Sequence, residues 1–296
     1  MDVIMKINPN LFCPDTQFEN QIVNLLNRYL FNNSLFSLLG TATCVSNLYE
    51  IYEDMRRYCD CPDIEKKFML DGKCVLHNIN RRGLTINGFL YAGHDLPVWV
   101  NSPQAKNVDE VDCKIMIVGR DPGRKPYDMY EMDPTCDQLS IYSPFGLHCR
   151  YHRRKTQDVP CIVDGIINCA SKNGKTVSIY VTDYYKLRKV DPSSVNNGNR
   201  NIYKSVYDGE LSIFRPDVVI LLGKSVMGAI GIPSNTPYFS IYSQNGINYM
   251  PIPHPSGSNN NEISSEKKKR GKESMRTKDF YIEEICKSLK EVCSKK

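Results

Sequence analysis

The chain has no apolar run approaching the roughly 20 residues that a bilayer-crossing helix requires. Its first stretch, MDVIMKINPNLF, lacks the compact apolar core and small-residue cleavage site of a secretory leader. A cytoplasmic protein with no membrane partner is therefore expected. A strong charge of either sign is also missing, since the formal net charge is only +5. That value permits a polyanionic partner without requiring one. There is no GxxxxGK[ST] phosphate loop, and the GKS at Gly223–Ser225 is too short to make one. No internal repeat is present.

Cysteine, by contrast, is plentiful, with 12 in 296 residues. Two groups resemble ligand sets: Cys59, Cys61, Cys74 and His77, and Cys136, Cys149, His152 and Cys161. Neither has the paired CxxC knuckles of a structural zinc site. Free, scattered thiols in a reducing compartment and no bound metal are expected. Hydrophobic residues at 41% and charged residues at 24% are ordinary globular values, and the length allows one or two domains with a sizeable core. Two basic blocks stand out: Arg150, Arg153, Arg154 and Lys155, and Lys267, Lys268, Lys269 and Arg270. Each can contact phosphates or simply be a solvated surface run.

Residues 1–105 read as a mainly helical region, because NQIVNLLNRYLF and SNLYEIYEDMRRY carry apolar residues at helical spacing. Within it, GLTINGFLYAG has the Asn-Gly pair of a hairpin. Residues 106–296 alternate strand, loop and helix. KIMIVG, VSIYVTD, PDVVILLG and GINYMPIP are four strand candidates, and VPCIVDGIINCAS, KSVMGAIG and DFYIEEICKSLKEVC are helix candidates. The alternation predicts a three-layer α/β/α sandwich around a short, mainly parallel four-stranded sheet. The Ser-, Lys- and Glu-rich stretch from Glu262 to Lys278 is expected to be a mobile loop.

Ligands bind beyond the carboxyl ends of such strands. GRDPG, TDYYK, GKS and HPSG all fall there. In Gly119-Arg120-Asp121-Pro122-Gly123 the glycines permit a tight turn and Pro122 sets its bend, presenting Asp121 at the mouth of the sheet. A carboxylate there can orient water or stabilise a developing cation; it can equally cap a turn. His254, followed by Pro255, Ser256, Gly257 and Ser258, can donate a hydrogen bond to charge on a leaving group, and Ser256 with the next backbone amides can grip a phosphate. The plainer alternative is a polar turn.

In this order, the motifs resemble those of the uracil-DNA glycosylase superfamily, where one strand ends in a motif like GQDPY or GEAPG and the last ends in HPS. SPFG, from Ser143 to Gly146, is similar to the segment whose ring stacks on the extruded base. IYVTDYYKLR and FRPDVVILLGKSVMGAIG resemble segments of the iron–sulfur branch. The resemblance spans roughly residues 112–291 and implies a monofunctional glycosylase that flips a nucleotide from DNA and needs no cofactor. Asp121 and His254 would be catalytic. Gly119, Gly123, Phe145 and Asp183 would form the base pocket, and Arg120, Lys186, Ser256, Gly257 and Ser258 would contact DNA. A monomer is expected.

Three departures bear on the substrate. Gly123 stands where tight uracil enzymes have a Tyr that blocks C5, which opens that side of the pocket unless Tyr127 or Tyr130 fills it. Asp183 replaces a common Asn; a neutral Asp could accept from a cytosine amine and donate to N3, or it could face elsewhere as a turn cap. The loop after HPS carries GSNNN rather than a plugging Leu. In addition, Leu187 occupies the place of a cluster-binding Cys, so no iron–sulfur cluster is expected. The combination resembles bacterial defence glycosylases that remove glucosylated hydroxymethylcytosine from phage DNA. Uracil excision in repair and a non-catalytic DNA-binding relative are the alternatives; a free-nucleotide-binding protein ranks behind them.

Overall fold

A computed structural model describes residues 16–31, 79–80, 84–86, 89–120, 138–142, 158–189, 200–255 and 260–293. The strands in these segments are β1 (Ile79–Asn80), β2 (Leu84–Ile86), β3 (Phe89–Asp95), β4 (Val98–Asn101), β5 (Cys113–Gly119), β6 (Gln138–Tyr142), β7 (Val177–Asp183), β8 (Leu187–Lys189), β9 (Val218–Leu222), β10 (Tyr242–Gln244) and β11 (Ile247–Ile252). The helices are α1 (Thr16–Leu26), followed directly by a π-helical turn (Asn27–Phe31), α2 (Asp158–Lys172), α3 (Arg200–Phe214), α4 (Lys224–Ile230), α5 (Asn260–Lys269) and α6 (Thr277–Cys293).

The central sheet has the order β10-β11-β9-β5-β7-β4. The four strand candidates form its middle, all parallel: β11 beside β9, β9 beside β5, and β5 beside β7. Every residue of β5, β7 and β9 is buried, as expected of apolar runs covered by helices on both faces. The sheet has six strands rather than the expected four. The two additions are antiparallel edges, β4 on β7 and β10 on β11. Each edge strand is short, and β10 reaches β11 through a tight turn at Asn245 and Gly246, both at positive φ.

The order of connections sets the layers. From β5 the chain passes through α2 to β7 on one side, then through α3 to β9 on the other side of β5. Right-handed crossovers in opposite directions place α2 and α3 on opposite faces. Helix α6 packs on α2, and α1 packs on α3. Two glycines permit these approaches: a Cβ at Gly165 would lie 2.4 Å from Ile282 Cγ1, and one at Gly209 would lie 2.3 Å from Leu25 Cδ1. On the α1 side, Phe18 meets Trp99 edge-on at 5.1 Å, with Tyr180 and Phe214 close by. Trp99 is fully buried; truncating such a ring to Ala costs about 3–5 kcal/mol.

Where the residues ahead of 105 are described, NQIVNLLNRYLF is helical, as α1 and the π-helical turn after it, and β1 to β4 follow. The hairpin expectation is met: β2 and β3 flank Asn87-Gly88 and pair antiparallel, with Ile86 opposite Phe89. Strand β3 also pairs with β6 and β8, forming a second sheet. The segment SNLYEIYEDMRRY lies outside the described residues.

The mobile loop expected between Glu262 and Lys278 is corrected. It is α5, a turn and the start of α6. Composition misled because its charges are used inside the fold. Glu266 is buried and bonded by Lys269, while Arg270 and Lys272 converge on the buried Glu284. The expectation of free thiols is corrected at one place: Cys113 and Cys293 form a disulfide, with Cα atoms 5.6 Å apart. Cys169 and Cys286 remain thiols, and burial pushes the Cys286 thiol up from its ordinary value. No group that could hold a metal occurs among the described residues, and no described helix is long and apolar enough to cross a membrane.

Candidate active site

Parallel pairing brings the motif-bearing strand ends together. In the β5/β7 register, Gly119 stands opposite Asp183, so the GRDPG and TDYYK motifs meet side by side. Beyond the strands the backbones continue to pair: Tyr184 N–H donates to Gly119 O, and Tyr185 N–H to Arg120 O, both at 2.9 Å. On the other side of β5, Val118 is level with Leu221 of β9, and Leu222 is level with Ile252 of β11. Helix α2 after β5 and helix α3 after β7 lie on opposite faces, the arrangement in which α/β sheets bind ligands beyond the carboxyl ends of their strands.

Gly223 and His254 face each other where β9 and β11 finish. Gly223 N–H donates to Ile252 O at 2.8 Å. Its φ is +87°, and a Cβ there would come 3.1 Å from His254 Cβ. His254 is partly exposed. Arg120 is also partly exposed, and Asp183 is only 2% exposed.

Gly119, Arg120, Asp183 and His254 thus gather at one end of the sheet. Asp121, Gly123, Phe145, Ser256, Gly257 and Ser258 lie outside the described residues, as do Cys59, Cys61, Cys74, His77, Cys136, Cys149 and His152 and the basic block from Arg150 to Lys155. Asp121 directly follows Arg120, and Ser256 directly follows the described Pro255.

Lys186 requires a correction. As a DNA-contacting cation its ammonium should reach solvent, yet it is fully buried. Its Nζ donates to Glu210 Oε1 at 2.6 Å and Oε2 at 2.8 Å, and also to Thr182 Oγ1. An isolated charge cannot be buried cheaply, and the loop folds so that Lys186 meets the carboxylate of α3. Glu210 escaped notice in the sequence although a signal was there. It stands on the buried stripe Tyr203, Val206, Tyr207, Glu210 and Phe214 of α3, at helical spacing, where a carboxylate is unexpected. The sequence points to Gly223 only through its place after an apolar run, at the start of GKS.

This arrangement is a doubly wound α/β sandwich whose polar and titratable groups meet beyond the carboxyl ends of its parallel strands. The model of the uracil DNA glycosylase superfamily matches residues 105–276, more than half of the chain, and the protein belongs to that superfamily. Its members are DNA glycosylases, and DNA is their partner. No curated protein matches the chain.

Proposed function

We propose that the protein hydrolyses the N-glycosidic bond of a flipped-out 5-modified cytosine, such as glucosylated hydroxymethylcytosine, as a defence against phage DNA. Glycosidic cleavage builds positive charge on the sugar and negative charge on the departing base. Asp121 stabilises the sugar cation and positions the attacking water. His254 donates a hydrogen bond to the base O2 as it gains electrons. Phe145 stacks on the base, and Asp183 reads its edge, accepting from the N4 amine and donating to N3 in its neutral form. Gly123 leaves the pocket open beside C5, and Gly119 lines it. Arg120 and the Ser256-Gly257-Ser258 turn hold the DNA backbone. The enzyme works as a cytoplasmic monomer with no cofactor, and water is the nucleophile, so the strand is not nicked.

The observation that carries this reading is the meeting of Gly119 with a buried Asp183 in adjacent strands, with His254 at the end of β11 in the same sheet. A carboxylate in place of an amide at the base edge favours a cytosine-type partner. The repair alternative, uracil excision, draws support from the superfamily match itself.

Base release, followed by mass spectrometry, tests both. Duplexes containing uracil, cytosine, hydroxymethylcytosine or its glucosylated form would be compared for wild type, Asp121→Asn and Asp183→Asn. Release of a cytosine-type base, lost in both variants, is expected. Release of uracil alone would sink the cytosine reading, and no release from any duplex with DNA binding intact would favour a non-catalytic binder.

A further inference from the structure

We propose that the buried Lys186–Glu210 pair is a positioning clamp for the turn that carries Asp183, and so helps to determine which base edge the pocket accepts. The proposal rests on the reading of Asp183 as the base reader.

Asp183, Tyr184 and Tyr185 are bracketed by Thr182 and Lys186, and both brackets are tied to one carboxylate. Lys186 Nζ donates to both oxygens of Glu210, at 2.6 and 2.8 Å. Thr182 Oγ1 and Tyr180 Oη each donate to Oε1 at 3.0 Å. All four side chains are fully buried. The ammonium further donates to Thr182 Oγ1, which closes a ring of bonds under the turn.

The turn is held from its other flank as well. The Tyr184 and Tyr185 amides bond to the carbonyls of Gly119 and Arg120. The Tyr185 ring stands edge-on to Tyr203 at 5.3 Å, and the Tyr184 ring lies 5.5 Å from Tyr207, both on α3. Helix α3 and the end of β5 therefore grip the same few residues.

Stability alone does not account for an ion pair in this position. Two well-packed hydrophobes often stabilise a core equally well, because desolvating both charges offsets their attraction. What the pair supplies is direction: several bonds converging on one carboxylate permit a single geometry for the turn. Asp183 is then presented in one orientation to the base.

The test uses the full chain. In Lys186→Met/Glu210→Leu both charges leave together, so no charge is stranded in the core; Lys186→Met/Glu210→Gln also removes both charges and keeps the shape of the acid. Each is assayed on duplexes containing uracil, hydroxymethylcytosine and glucosylated hydroxymethylcytosine. Binding to a duplex with a tetrahydrofuran abasic analogue, and its salt dependence, is measured in parallel. The expected result is a fall of about tenfold or more in the kcat/KM ratio between preferred and rejected bases. Faster amide exchange at Tyr184 and Tyr185 should accompany it, with abasic-duplex affinity unchanged.

An unchanged ratio in a variant that melts cooperatively would overturn the clamp. So would weaker abasic-duplex binding with a shallower salt slope, which would make Lys186 a phosphate contact. If the leucine variant does not fold, Lys186→Met/Glu210→Gln carries the same test, and the exchange readout needs no substrate. Asp183→Asn separates the two ideas. A wild-type ratio there overturns the base-reader reading; a shifted ratio there with unshifted clamp variants overturns the clamp alone.

Discussion

Gly223 makes room for His254: a Cβ at the glycine would stand 3.1 Å from the histidine Cβ, on a backbone with φ of +87°. Glycine adopts that conformation at little cost, and any other residue is strained there. Alanine would strain the turn and press on the residue expected to face the leaving base. Gly223→Ala should slow single-turnover base release about 10- to 100-fold and lower stability by about 1–2 kcal/mol. A variant that melts earlier but reacts at the wild-type rate would separate Gly223 from the placement of His254.

Much of the core domain was legible because its strands are buried on both faces. KIMIVG, VSIYVTD and PDVVILLG are continuous apolar runs that stop at Gly or Asp, and they became β5, β7 and β9 nearly residue for residue. Edge strands were harder to read. β4 is four residues long, and its neighbours are distant in sequence, so VWVN carries no local sign of its pairing with β7. Charge composition misled twice, at Lys186 and in the segment from Glu262 to Lys278. At Lys186, and at Arg270 and Lys272, the partner is a carboxylate from another element, which periodicity along one element cannot reveal. At the site, strand-end placement brought Gly119, Asp183 and His254 to one end of the sheet, whereas Glu210 emerged only from tertiary packing.

At the opposite end of the sheet, Asp112 and Thr176 tie the starts of β5 and β7 together. Thr176 N–H donates to Asp112 Oδ2 at 2.7 Å and its hydroxyl does so at 2.9 Å. The N–H bond, then the hydroxyl, holds the Asp112 carboxyl below its ordinary value, with Lys175 adding to the effect. A carboxyl depressed in the folded state stabilises above its unfolded pKa, near 4, and this is lost as pH falls through the folded value. Asp112 is 40% exposed, so screening limits the effect to about 1 kcal/mol or less. Asp112→Asn should be less stable at neutral pH and flatter in acid, as read by urea midpoints. Matching acid limbs in the two proteins would remove Asp112 from the account.

The disulfide joins the first residue of β5 to the last of α6 across a sequence separation of 180. In the chain-entropy account, closing so long a loop stabilises by up to about 5 kcal/mol. Reductant should therefore lower the melting temperature of the wild type and leave Cys293→Ser unaffected. Base release at a temperature where both states are folded should not change, because Cys113 and Gly119 lie at opposite ends of β5. A melting temperature indifferent to reductant would mean that the bond does not form in solution.

Arg270 ends a run of four basic residues, and such runs suggest contact with phosphates. Its guanidinium is already engaged. Nη1 donates to Glu284 Oε2 at 2.7 Å, Nη2 donates to Tyr238 O at 2.9 Å, and the group lies 5.4 Å from the centre of the Phe239 ring. Glu284 is 3% exposed, and among the described residues Lys272, at 2.5 Å, is the cation it would keep if Arg270 were removed. Stranding part of a buried charge costs more than losing a surface contact. Arg270→Ala should therefore destabilise the protein by about 2–3 kcal/mol. DNA affinity and its dependence on salt should stay at wild-type values, since no phosphate contact is lost. Thermal melts and a salt titration of duplex binding decide the matter. A variant that keeps its melting temperature but binds DNA more weakly, with a shallower salt slope, would return Arg270 to the DNA interface.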